Sequence, residues 1–87
     1  MKIQVRFKND NGNEVVATFD RDAGTVSTQD GQKGTYSRPE GSRTMEIKGD
    51  VNLTMTFADD VRFEQGYSTR YTTNDGRAGV ATILSVG

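Results

Sequence analysis

The chain has 87 residues, a net charge of −1, and neither cysteine nor histidine. That is one small domain, 1–87, with length for a modest core and no means of stapling it through disulfides or through nitrogen and sulfur metal ligands. The missing side chains also exclude a thiol nucleophile, a Ser-His-Asp arrangement and an imidazole base, and the mixed, near-neutral charge argues against nucleic acid and anionic membrane surfaces as partners.

Ile3, Val5 and Phe7 alternate with Lys2, Gln4, Arg6 and Lys8, which predicts a first strand with one wet face. This opening reads as a strand and not as a targeting segment, and no apolar run approaches the length of a membrane-spanning helix. As it stands the chain is expected in the cytoplasm, or in the periplasm as the processed form of an exported protein. Asn11-Gly12 predicts a hairpin turn, since both residue types tolerate positive φ. Val15, Ala17 and Phe19 form the return strand. Asp20-Arg21-Asp22-Ala23-Gly24 turns the chain into a short strand over 25–28, and Asp30-Gly31-Gln32-Lys33-Gly34 turns it again toward Tyr36.

Arg38-Pro39-Glu40-Gly41-Ser42 is expected as a surface loop. Met45 and Ile47 alternate with Thr44, Glu46 and Lys48. Gly49-Asp50 leads into 51–57, the clearest strand, where Val51, Leu53, Met55 and Phe57 alternate strictly with Asn52, Thr54 and Thr56. Ala58-Asp59-Asp60 ends it. Val61 and Phe63 are expected to begin another strand, broken at Gln65-Gly66, after which Tyr67, Thr69 and Tyr71 share a face. Asp75-Gly76 marks the last turn. The final strand is apolar on both faces, so Val80, Thr82 and Leu84 compete with Ala81 and Ile83 for the inside.

The pattern is all-β: an antiparallel meander of seven to eight short strands, closed or nearly closed into a barrel. A barrel this small is expected to be filled by its own side chains, leaving no substrate pocket. If the sheet stayed open, the strand at 51–57 or the terminal strand would leave an edge for a homodimer.

No enzyme chemistry, metal or cofactor is expected. Asp59-Asp60, the adjacent carboxylate pair, reads as a polar turn. The run Asp10-Asn11-Gly12-Asn13-Glu14 lacks the spacing of a helical calcium loop. The candidate binding set lies in the C-terminal third, where Arg62, Phe63, Tyr67, Arg70, Tyr71 and Arg77 follow Asp59 and Asp60. Tyr and Arg are enriched at protein-binding hot spots, although the same residues also read as ordinary core aromatics and a solvated basic face. Tyr67, Arg70 and Tyr71 would also suit stacking of single-stranded bases, opposed by the nearby Asp59, Asp60, Glu64 and Asp75.

Two segments carry a family resemblance. The first is Phe7-Lys8-Asn9-Asp10-Asn11-Gly12 with Val16-Ala17-Thr18-Phe19-Asp20 and Val26; the second is Arg62-Phe63, Gly66, Tyr71 and Ala81-Thr82-Ile83. In order and length these residues resemble the membrane-bound or periplasmic C-type lysozyme inhibitor family. The resemblance implies a small antiparallel barrel and an inhibitory loop in which Arg62 is the contact. The family's cysteines are absent, and Asp59-Asp60 stands where the family has Ser-Gly. Two carboxylates entering an acidic lysozyme cleft would each be repelled by about 1–4 kcal/mol at intermediate dielectric. The expected function is therefore a non-enzymatic protein-binding module, inhibitor-like, acting through loops at one end of the barrel. The alternatives are a cytosolic phage or mobile-element accessory protein that blocks a host complex, and a single-stranded nucleic-acid-binding barrel.

Overall fold

A computed structural model describes residues 1–39 and 41–87, and Glu40, in the expected surface loop, lies outside the described residues. Among the described residues there are eight strands and no helix: β1 (Lys2–Asn9), β2 (Glu14–Asp20), β3 (Thr25–Thr28), β4 (Lys33–Ser37), β5 (Thr44–Gly49), β6 (Leu53–Phe57), β7 (Ser68–Thr73) and β8 (Ala78–Val86). All neighbours are antiparallel, and the strands run round a closed barrel in chain order, β8 returning to β1. Closure gives β6 and β8 a partner on both sides, so the open-sheet condition for an edge-paired homodimer is not met.

The alternation places the core. Ile3, Val5 and Phe7 are buried while Lys2, Gln4, Arg6 and Lys8 face solvent. The ambiguous final strand is settled by register. Val5 lies opposite Ile83 and Phe7 opposite Ala81, and directly opposed residues share a face. Ala81 and Ile83 therefore point inward, and Val80, Thr82 and Leu84 lie half-buried on the outer wall.

The first turn closes by a different route from the one expected. Gly12 alone takes positive φ, at 94°, and the Asn11 side chain instead accepts the N–H of Asn13 at 3.1 Å. Two strand glycines serve close approach. A Cβ on Gly79 would sit 2.1 Å from the Lys8 carbonyl oxygen, and one on Gly34 would sit 2.4 Å from that of Lys48. At these points only a missing side chain lets neighbouring strands come so near.

The expected strand at Val61 and Phe63 does not form. β6 pairs directly with β7, through Phe57 opposite Tyr71, so Val61 and Phe63 have no ladder to join, and only the ends of 58–67 bond to strands, Ala58 to Arg70 of β7 and Gly66 and Tyr67 to Ile83 of β8. The strand at 51–57 likewise starts its ladder only at Leu53. The long connection 58–67 shares one end of the barrel with the β2–β3 turn and the β4–β5 loop; we call this the strap end. The other end holds the four short hairpin connections.

Candidate functional site

The interior is not filled by its own side chains. Four aromatic rings gather across its middle, each contact edge-to-face: Phe7 on Phe19 at 6.2 Å, Phe7 on Tyr71 at 5.5 Å, and Phe19 on Tyr36 at 5.1 Å between centroids. Above them, at the strap end, is a cavity of about 540 Å³; below them, at the hairpin end, is one of about 250 Å³. Phe7 and Phe19 border both. The expectation of a packed lumen fails because an eight-strand circumference leaves room for a small ligand unless bulky residues fill it. Here Ala17, Ala81 and Thr69 take inward positions and stop short of the axis.

Residues 58–67 cross the mouth of the larger cavity. The backbone N–H of Gly66 donates to the Ile83 carbonyl and that of Ile83 to the Tyr67 carbonyl, both at 2.8 Å, which fixes the far end of the strap to β8. The Tyr67 hydroxyl donates to the Asp60 carbonyl at 2.7 Å and tightens the strap internally. At its middle, Phe63 reaches the opposite wall. The guanidinium carbons of Arg21, in the β2–β3 turn, and Arg38, just after β4, lie 4.4 and 5.5 Å from the Phe63 ring centre. Such cation–π contacts are worth about 0.5–1 kcal/mol each where partly exposed. Val61, Phe63 and Tyr67 are half-buried against the core, whereas Asp59, Asp60 and Arg62 are exposed.

The structure therefore divides the candidate set. Asp59, Asp60, Arg62, Phe63 and Tyr67 meet at the strap end. Arg70 lies on the outer wall, in an exposed ion pair with Asp10 at 2.9 Å. Tyr71 is inside the barrel, 3% exposed, with its hydroxyl donating to the Asn9 side-chain carbonyl. Arg77 is at the hairpin end and pairs with Asp75 at 3.2 Å. Tyr67, Arg70 and Tyr71 share no surface on which bases could stack. Arg21, Tyr36 and Arg38 were missed as site residues. They lie far from Phe63 in sequence, and a contact across a barrel mouth leaves no local signal.

Burial raises the Tyr36 phenol above its ordinary 10.0, with Asp20 and Asp22 adding to the shift and Arg21 and Arg38 opposing it. Burial likewise raises Tyr71, with Asp10 adding and Arg77 and Arg70 opposing. Both phenols hold their protons more tightly folded than unfolded. Their contribution to stability is complete below the unfolded value near 10 and is lost as pH rises through the folded one. Urea midpoints are expected to be level between about pH 8 and 9 and to fall above about pH 10, with a shallower fall in the Tyr36→Phe/Tyr71→Phe double variant. An unchanged slope in that variant would assign the alkaline loss to other groups.

No family model, no curated protein and no solved structure matches the chain.

Proposed function

We propose that the protein is a non-enzymatic binding module that docks on a protein partner through the strap end of the barrel. One observation carries the reading: the strap is pinned at its middle by Phe63 on two guanidiniums, while Asp60 and Arg62 remain exposed and the exposed Asp59 accepts from the Thr69 hydroxyl at 3.4 Å. A loop already held in place loses little further conformational freedom on docking, so more of its contact energy appears as affinity. Arg62 beside an anchored aromatic is also the kind of residue that dominates protein interfaces. The polar groups that line the mouth are the Arg21 and Arg38 guanidiniums, the Tyr36 phenol and the Thr69 hydroxyl, which donates to the Asp59 carboxylate at 3.4 Å, and the guanidiniums and phenol suit binding and orienting rather than proton transfer near neutral pH. In the inhibitor version, suggested by the resemblance to the lysozyme inhibitor family, Arg62 enters the partner's cleft.

The test is affinity capture from bacterial cytosolic and periplasmic extracts, with a C-type lysozyme as a direct binding control. Arg62→Glu should weaken capture by about thirtyfold, the loss typical of a hot-spot residue, whereas Arg77→Glu at the opposite end should leave it unchanged. Capture lost with Arg77→Glu and kept with Arg62→Glu would overturn the assignment of the face, and no capture from either extract would overturn the reading. Absence of lysozyme inhibition at tens of micromolar would remove the inhibitor version alone. Capture of a cytosolic complex would identify the host-complex-blocking version.

A further inference from the structure

We infer that the strap-end cavity is a binding site for a small organic acid, an apolar body carrying one carboxylate. Its volume of about 540 Å³ lies within the roughly 300–1,000 Å³ typical of small-molecule sites. The wall is apolar, built from Ile3, Val5, Phe57, Ala81 and Ile83; among the described residues the charged side chains that border the cavity are Arg21 and Arg38 at its rim, and the Asp59 carboxylate stands behind the lining Thr69 hydroxyl, accepting from it at 3.4 Å. A body buried there gains from removal of apolar surface from water, and its polar end must come to the rim.

The rim selects the sign of that polar end. Arg21 and Arg38 are brought over a single ring, and neither has a carboxylate within ion-pair distance among the described residues. Arg38 donates one N–H to the Ser42 carbonyl at 3.1 Å, and Arg21 donates none among the described residues. Arg21 is flanked in sequence by two acids, Asp20 and Asp22; the Asp20 Oδ1 accepts the N–H of Asp22 at 3.1 Å and of Ala23 at 3.3 Å, and the Asp22 carboxylate pairs with the Met1 ammonium at 2.6 Å. Tyr36 also borders the cavity, and its hydroxyl has no partner among the described residues. Two guanidiniums without an ion-pair partner and a phenol without a hydrogen-bond partner, among the described residues, form a donor set that matches a carboxylate, which guanidinium groups bind in a two-pronged fashion. The hairpin-end cavity lacks this feature, being about 250 Å³ with Arg77 at its rim already paired to Asp75.

Three ligands with one alkyl chain test the charge rule: decanoate, decanol and decyltrimethylammonium, titrated calorimetrically into the whole protein, with amide chemical shifts recorded to locate them. Decanoate should bind one to one and about tenfold more tightly than decanol, with the cation weakest. Shifts should fall on Phe57, Thr69 and Ile83 and spare Val26 and Leu53. Arg21→Gln and Arg38→Gln should each bring decanoate toward the affinity of decanol and leave decanol unchanged, with thermal melts confirming that both variants fold. No saturable decanoate binding, equal binding of acid and alcohol, or shifts confined to the hairpin end would overturn the inference. The protein-docking reading is separable. Partner capture without decanoate binding sinks only the ligand site, and decanoate binding without partner capture sinks only the docking reading.

Discussion

Gly79→Ala should destabilise the barrel by about 3 kcal/mol, at the upper end of what overpacking costs. The new Cβ would meet the Lys8 carbonyl oxygen at 2.1 Å and the Lys8 carbonyl carbon at 2.8 Å. Both are backbone atoms, so no side-chain rotation relieves the clash and β1 must move away from β8. That seam closes the barrel, pairing the first strand with the last. A strain placed there acts on the longest-range pairing in the chain. For a domain of this size the thermal midpoint is expected to fall by about 12–24 °C, read by circular dichroism. An unchanged midpoint would mean that the two strands do not approach this closely.

Phe7→Ala should be at least as costly, about 3–5 kcal/mol, which is enough to unfold a marginally stable small domain. Phe7 makes edge-to-face contacts with both Phe19 and Tyr71 and borders both cavities. Its removal joins the two cavities and leaves the neighbouring rings without their partner. Phe7→Leu restores most of the volume and should recover most of the stability. Urea unfolding separates the two variants. Near-native stability in Phe7→Ala would show that the interior collapses around the loss, and that the aromatic layer does not hold the cavities open.

The two variants also mark how far local pattern could reach. Phe7 was assigned to the core by the alternation of residues 2–8, and its burial follows. Gly79 carries no local signal of its role, which depends on Lys8, distant in sequence and adjacent only after closure. The candidate site divides in the same way. Phe63 and Tyr67 belong to the candidate set read from the sequence, and both lie at the strap end. Tyr71 and Arg77, read as part of the same cluster, are separated from them because each turn reverses the chain and carries β7 toward the hairpin end.

Eight strands, the places of the turns and most inward faces were legible in the chain, because a period of two and the demands of tight turns are properties of neighbouring residues; the strand expected at Val61 and Phe63 did not form. The sequence by itself also determined that any barrel would lack thiol and imidazole chemistry. Tertiary structure decided what depends on closure: the inward face of β8, set by register with β1; the strap over 58–67, left without a ladder when β6 paired with β7; and the cavities, left open because the small residues Ala17, Thr69 and Ala81 face inward around a circumference of eight strands. The meeting of Phe63 with Arg21 and Arg38 belongs to the same class, since it spans the mouth of a barrel that no local pattern describes.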